Sequence, residues 1–509
     1  MIRTPSCPRQ VEQTYSTDPV LSTRKGDKMG GQVNQAVILA AGKGTRIRKG
    51  GQTLPKPLVR VGGLTLLKRA ILTARREGVE RFVIVVGCDG DQVRASVQND
   101  PDLSDLEVIF VDNPLYDLSN GVSVLQARPH IRGEFFLMMS DHIVDPAIYR
   151  TLQKTPAGEG LVLAIDRKLD SIFDMDDATK VRATPDGRIG AIGKTLEDFD
   201  AVDTGVFRCS PRLFDALNVF YEVHGDVSLS NGVQTLAAEG SARVADVGNA
   251  WWQDVDTPET IGHATKLLFA SLTKAIDGPI SRHVNRRFSK VITRMVMNTR
   301  ITPNHMTTVG LIIGLAASVV TAMTSHSSMW LLALGGILYQ LSSMIDGCDG
   351  EIARLKFMHS DTGEWYDTVS DDVINLCYQV SVGYALFSLS GNSIWLQIGL
   401  ATFVLGWVVA GALYRKLLAT GKGTHLAIDF GLKDEEQSVF TQFIAKLEFI
   451  GHRDFYALLL MFLAIAGPAA LKVALVCAFA TVALTGIQWT LVSLRDADRQ
   501  NDRKTAQAR

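Results

Sequence analysis

The sequence predicts an α/β doubly wound domain followed by an all-α membrane domain of six spans, and three observations carry that expectation. Up to about residue 280, short apolar strands near 36–40, 81–87, 106–112, 134–140 and 161–166 alternate with helical stretches. From about 300 to 495, apolar runs of bilayer-crossing length are broken only by short polar loops. The mean hydropathy of +0.12 averages these two materials, and a formal net charge of −1 over 509 residues describes neither.

Taken in order, residues 1–34 lack the apolar stretch of a secretory signal and read as a disordered leader. A nucleotide-handling domain is expected over 35–278, an amphipathic linker helix over 279–300, the membrane domain over 301–495 and a cytoplasmic tail over 496–509. The six cysteines (Cys7, Cys88, Cys209, Cys348, Cys377 and Cys477) are scattered without CxxC or Cys/His spacing. Neither a disulfide framework nor a zinc cage is indicated, which suits a reducing cytoplasm. The chain shows no internal repeat and nothing patterned for nucleic acid.

In the first domain, AVILAAGKGTRIRKGGQTLPKPL (Ala36–Leu58) is an apolar strand entering a glycine-rich loop. Gly42 and Gly44 allow tight turns whose N–H groups can face phosphate, while Lys43, Arg46 and Lys56 supply positive charge. A dinucleotide-binding reading competes, but the loop lacks GxGxxG. FFLMMSDH puts Asp141 at a strand's carboxyl end, where ligands of such sheets bind, and WWQDVDTPET offers Asp254 and Asp256 as a second acidic point. DATKVR and IGKTL add Lys180 and Lys194 for the phosphate of a second substrate, with Lys180 given the greater weight.

In the second domain, spans are expected near 306–324, 329–345, 372–391, 394–413, 455–471 and 473–493, the last two separated by a turn at GPAALK. Lys and Arg crowd the segment before span one, the loops after spans two and four (Arg354, Lys356, Arg415, Lys416, Lys422, Lys433, Lys446, Arg453) and the tail. The other three loops have none, so both termini are expected on the cytoplasmic side of the cell membrane. SRHVNRRFSKVITRMVMN (281–298) groups Val284, Phe288, Val291, Ile292 and Met295 on one helical face, as an interfacial helix would.

Between spans two and three, MIDGCDGEIARLKFMHSDTGEWYDTVSDDV carries eight acidic residues. Asp346 and Asp349 are three apart, and Asp367 and Asp371 four apart, so each pair shares a helix face. Ionised carboxylates at a bilayer edge are costly, and a divalent cation such as Mg²⁺ or Mn²⁺ relieves both that cost and their repulsion. Small residues at Gly347, Gly350, Ala353 and Gly363 would let a nucleotide lie close to the backbone. A transporter with a nucleotide sensor would instead show an inverted repeat, which is absent from the sequence.

The pattern D-x2-D-G-x2-A-R-x8-G-x3-D-x3-D, met by Asp346, Asp349, Gly350, Ala353, Arg354, Gly363, Asp367 and Asp371, resembles the CDP-alcohol phosphotransferase signature, and TPNHMT (302–307) resembles that family's entry sequence. The resemblance implies that the four aspartates hold metal and that Asp371 also takes the proton of an acceptor hydroxyl. L-A-A-G-x-G-T-R followed by P-K-P resembles the sugar nucleotidyltransferases, which implies Mg²⁺ on Asp141 with Asp254 or Asp256, and a base pocket at Asn120, Gly121 and Ser123.

Together with DATKV, IGKTL and VDTGVF, the two halves resemble a bifunctional family in which inositol-1-phosphate cytidylyltransferase is fused to di-myo-inositol-phosphate phosphate synthase. What this implies is synthesis of CDP-inositol from CTP and inositol 1-phosphate, then transfer of phospho-inositol to a second inositol 1-phosphate with release of CMP. Arg354, Lys356, Arg415 and Arg453 are the candidates for the acceptor's phosphate. A lipid hydroxyl as acceptor, giving an inositol phospholipid, is the alternative. Contact with membrane lipid and a homodimer through the membrane domain are further expectations.

Overall fold

The computed structural model describes residues 32–49, 51, 53–273, 280–420 and 453–507. The leader up to residue 31 and Lys422, Lys433 and Lys446 of the loop after span four lie outside the described residues. The chain forms two compact units, the first holding residues up to Val61 and Thr65–Leu267, the second holding Gly62–Leu64, Leu268–Thr273 and the chain from 280 onward.

The first unit alternates strands and helices: β1 (Gln35–Ala40), α1 (Thr45–Lys49), β2 (Arg60–Val61), β3 (Leu64–Thr65), α2 (Leu66–Arg76), β4 (Arg81–Val86), α3 (Gly90–Gln98), β5 (Glu107–Asp112), α4 (Asn120–Gln126), β6 (Phe135–Met139), β7 (His142–Val144), α5 (Ala147–Gln153) and β8 (Leu161–Asp166). It continues with β9 (Lys180–Ala183), β10 (Ile189–Gly193), β11 (Ala201–Cys209), α6 (Arg212–His224), α7 (Leu229–Ala238), β12 (Ala242–Asp246), β13 (Trp252–Asp254) and α8 (Pro258–Ser271). Nine strands make one sheet with a central path β10-β9-β11-β6-β1-β4-β5, and β8 pairs with β11 and β12.

Strands β1, β4, β5 and β6 run parallel and antiparallel β11 joins them to the rest. Every residue of β1 is buried, as a strand covered on both faces requires. The carboxyl ends of β1 and β6 therefore open side by side, and their loops carry the polar residues of this unit. A separate two-stranded ladder pairs β7 with β13 in antiparallel register, with Asp254 opposite His142.

The second unit is helical: α9 (Arg286–Val296), α10 (Pro303–Ala322), α11 (Trp330–Lys356), α12 (Asp361–Ser390), α13 (Ile394–Thr420), α14 (Arg453–Ala466) and α15 (Pro468–Gln507). Among the described residues, five segments are long and apolar enough to cross a bilayer: Pro303–Ala322, Trp330–Lys356, Asp361–Ser390, Ile394–Arg415 and Pro468–Thr490. The remaining expected span, the fifth, falls on α14, which has 14 described residues and at 1.5 Å per residue falls short of a hydrocarbon core of about 30 Å. Gly467, at φ +105°, makes the turn between α14 and α15.

The acidic stretch is not a loop. Helices α11 and α12 run on past their apolar parts, so that only Phe357–Ser360 separates them. Phe357, at φ +56°, ends α11, and the Ser360 hydroxyl accepts from the Gly363 N–H at 3.1 Å to cap α12. A β-carbon at Gly363 would lie 2.9 Å from that hydroxyl, so the small residue serves the cap.

Helix α9 packs on α11 through its polar face. Its inner stripe is polar, with Asn285, Ser289 and Thr293 buried, whereas Phe288, Val291 and Met295 are exposed, Met295 to 76%. Helix crossings are made close by glycine: at Gly335 an added β-carbon would collide with the Thr321 side chain on α10 and lie 3.2 Å from Ala317 O, and Gly399 lies against Gly383. Gly335→Val should therefore destabilise the membrane unit by about 1–3 kcal/mol, read as a lower thermal midpoint in detergent; an unchanged midpoint would show that this crossing does not limit stability.

Candidate active sites

In the first unit the chain leaves β1 through Ala41–Gly44 and turns into α1. Gly44 sits at φ +59°, and a β-carbon there would lie 2.8 Å from that of Lys56, so glycine is what lets Lys56 approach the loop. Pro55 opens the short 3-10 turn that carries Lys56. Its Nζ lies 2.6 Å from Asp141 Oδ2 and 3.8 Å from Asp254 Oδ1, and it ion-pairs with Asp256. Arg46 completes the group by pairing with Asp256 and, at 2.6 Å, with Asp177.

Two cavities meet at these residues. One of about 540 Å³ is lined by Arg46, Lys56, His142, Lys194, Asp203 and Asp254 among others. The other, about 300 Å³, is lined by Gly42, Gly44, Tyr116, Asn120 and Ser123, and shares Arg46, Lys56 and Asp141 with the first. The cations and carboxylates thus form the wall between a space on the glycine-loop side and a larger space beyond it.

Asp141, His142 and Asp254 can bring one ligand atom each within 4.8 Å of one another, and so can Asp177, Asp254 and Asp256. The two aspartates of WWQDVDTPET have different surroundings. Asp256 is buried between Lys56 and Arg46, whereas buried Asp254 Oδ1 accepts no hydrogen bond, which leaves it suited to a cation.

Burial disfavours ionisation at all these groups, and their neighbours decide the outcome. For Asp141 burial is outweighed by Lys56 and His142, which hold its carboxyl far below the usual range. For His142 the Asp254 charge and the Asp141 hydrogen bond, at 2.8 Å, overcome burial and lift the imidazole to about 9. Burial raises Asp254, and it raises Asp203 to about 6.

The other residues singled out by sequence fall in varied places. Asn120 lines both cavities and its Oδ1 accepts from Leu229 N–H at 2.9 Å. Ser123 is buried and its hydroxyl accepts from Asn113 Nδ2. Gly121 faces the protein interior, where a β-carbon would lie 2.5 Å from Val227 O. Lys43 is exposed and paired with Asp117. Lys194 lines the larger cavity and pairs with Asp177 at 2.8 Å, while Lys180 donates to the Asp176 and Lys194 carbonyls. His142, Asp177 and Asp203 were not anticipated. A strand-end histidine next to Asp141 was visible in SDH, but its partners come from chain far away.

In the second unit α11 presents Asp346 and Asp349, and α12 presents Asp367 and Asp371. Oxygens of Asp346, Asp349 and Asp367 lie within 4.8 Å of one another. Asp349 Oδ2 accepts from the Thr307 hydroxyl on α10 at 2.6 Å, and buried Asp367 Oδ1 has no hydrogen-bond donor. These carboxylates fit a divalent cation by donor type and by that unsatisfied oxygen.

Arg453, at the start of α14, ion-pairs with Asp371 and lies 2.9 Å from Asp346 Oδ1. The Arg354 guanidinium lies beside Gly350, where an added β-carbon would be 3.2 Å from Nη1, and Ala353 is buried. Arg415 is exposed. Lys356 is buried and donates to the Thr299 and Ile301 carbonyls, which fixes the approach to α10.

The chain matches two family models: the MobA-like NTP transferase domain over residues 36–170 and CDP-alcohol phosphatidyltransferase over 300–487. A protein of Aquifex aeolicus named "Bifunctional IPC transferase and DIPP synthase" is 34% identical over 68% of this chain and 76% of its own. One of the same name from Rubrobacter xylanophilus is 37% identical over 66% and 74%. A solved structure titled as the inositol-1-phosphate CTP transferase from T. maritima is 28% identical, covering 46% of this chain and 98% of its own at a TM-score of 0.42.

Because His142 is raised to about 9 in the folded unit against about 6.5 unfolded, the stability it adds is full below pH 6.5 and lost as pH climbs through 9. With chelator present, melting of the full chain's first unit should decline over that window, and His142→Gln should remove the decline. A slope unaltered by the substitution would assign it to another group.

Proposed function

Because the chain belongs to the family of bifunctional IPC transferases and DIPP synthases, we propose that its two sites run consecutive reactions, the first making the donor used by the second. In the first unit a phosphate oxygen of inositol 1-phosphate attacks the α-phosphorus of CTP and pyrophosphate leaves, giving CDP-inositol. In the membrane unit the hydroxyl of a second inositol 1-phosphate attacks the inositol-bearing phosphorus of CDP-inositol, and CMP leaves. The product is phosphorylated di-myo-inositol phosphate. The observation that carries this reading is the presence, in one chain, of a lysine-centred carboxylate site between two cavities and a four-aspartate site on two helices.

In the first unit, the glycine-loop cavity takes the nucleotide, with Asn120 and Ser123 lining it, and the larger cavity takes inositol 1-phosphate, with Lys194 directed to its phosphate. Lys56 and Arg46 meet the negative charge that develops on the triphosphate. We assign the metal to Asp141 and Asp254 and give Asp256 the task of holding Lys56 and Arg46 in place. In the second unit Asp346, Asp349 and Asp367 hold metal, Asp371 accepts the proton of the attacking hydroxyl, and Arg453 orients Asp371 and meets phosphate. Mg²⁺, when bound at either site, screens phosphate charge and polarises the phosphorus under attack. We place both sites on the cytoplasmic side, where CTP is found and where the basic loops belong.

Full-length protein given CTP, labelled inositol 1-phosphate and Mg²⁺ should form the phosphorylated di-inositol diester without added lipid; label appearing in a phospholipid would replace the acceptor. Asp371→Asn should accumulate CDP-inositol while transfer falls at least about 10²-fold, and unchanged transfer would place the base elsewhere. In the first unit, Asp254→Asn should raise the Mg²⁺ concentration required for pyrophosphate release. If Asp256→Asn raises it and Asp254→Asn does not, the two roles are exchanged.

A further inference from the structure

Glu351 belongs to the acidic stretch but takes no part in the carboxylate group described above. It is fully buried, at 0% exposure, and three residues of α9 bond to it. Ser289 Oγ donates to its Oε1 at 2.6 Å and Thr293 Oγ1 to its Oε2 at 2.6 Å, while Arg286 Nη1 lies 3.3 Å from Oε1. The same Arg286 nitrogen donates at 3.1 Å to the carbonyl of Gly347, the residue after Asp346. A β-carbon at Gly347 would lie 3.0 Å from that nitrogen, so a larger residue there would crowd the guanidinium.

At about 100° per residue, Gly347 and Glu351 share one face of α11, and Asp346, Asp349 and Gly350 share another about a third of a turn away. Rotation of α11 about its axis would carry both faces together. A buried carboxylate satisfied at both oxygens by short hydrogen bonds tolerates little such rotation, because losing either bond leaves a charged oxygen bare. Helix α9, whose Phe288, Val291 and Met295 are exposed on the side away from this contact, thus grips the metal-bearing helix through hydroxyls.

We propose that Glu351 is a positioning residue: its bonds to Ser289, Thr293 and Arg286 fix the rotation of α11 that aims Asp346 and Asp349 at one cation. This rests on the metal-site reading above. The test is titration of Mn²⁺ alone, followed by electron paramagnetic resonance, into the full chain in detergent, carrying Asp141→Asn and Asp254→Asn to silence the first site. Glu351→Ala should weaken Mn²⁺ binding about tenfold, the lower end for outer-shell changes. It should also lower kcat for transfer from supplied CDP-inositol more than it raises KM. Glu351→Gln, which keeps the shape and can still bond both hydroxyls, should restore binding close to the parent. Ser289→Ala combined with Thr293→Val should reproduce the loss, and it carries the test if Glu351→Ala does not fold. Loss in Glu351→Gln equal to that in Glu351→Ala would make the role one of charge and overturn the proposal. Parental Mn²⁺ affinity in Glu351→Ala, with binding still abolished by Asp349→Asn, would overturn it while leaving the metal site intact. A parent that binds no Mn²⁺ would bring down the metal site and the proposal together.

Discussion

Carboxylates drawn out of water need positive charge beside them, and both units are arranged around that need. In the first, Asp141 and Asp256 close on Lys56, with Asp256 also held by Arg46. In the second, Asp346 and Asp371 close on Arg453. Without those cations, repulsion and lost hydration would cost several kcal/mol per group. In each unit one carboxylate oxygen, Asp254 Oδ1 or Asp367 Oδ1, is left with no hydrogen bond, and a phosphate-bound cation fits that oxygen.

The two units gather like charges by opposite means. In the sheet, residues distant in sequence meet because strands pair: the β7–β13 register sets Asp254 against His142, and parallel β1 and β6 bring the glycine loop to Asp141. Backbone hydrogen bonds hold these positions, and side chains need only reach a short way. In the helices the spacing is local, three or four residues along α11 or α12, and what must be held is the rotation and depth of each helix. Small residues at crossings, hydroxyls and buried polar side chains do that work. Tyr339 Oη donates to Asn375 Oδ1 at 2.8 Å, and Asn375 Nδ2 to Tyr456 Oη at 2.7 Å, tying α11, α12 and α14 around Arg453.

This difference bears on the chemistry assigned to each unit. A wall of cations between two cavities suits the joining of two soluble phosphates, each entering from its own side. Carboxylates on the polar ends of membrane helices suit transfer from a nucleotide-linked alcohol held where water is scarce, since charge interactions there are screened less.

The sequence by itself determined five of the sheet's nine strands (β1, β4, β5, β6 and β8), five of the apolar spans found among the described residues and both aspartate pairs of the membrane unit, because each depends on short-range pattern: apolar runs of set length, and spacing that shares a helix face. It also marked Lys56, Asp141 and the Asp254/Asp256 pair as acidic and basic points near strand ends. Only the tertiary structure decided which of these touch. It separated Asp254 from Asp256 by what surrounds each, kept Lys43 and Arg415 exposed, and brought Arg453 from beyond α13 to Asp371. It shortened the expected fifth span to α14 within the described residues, and it turned the polar stripe of α9 inward, because a buried Glu351 needs hydrogen bonds more than it needs apolar contact. Sequence spacing reports neighbours a few residues apart, and these choices were made by burial and charge between segments tens to more than a hundred residues apart.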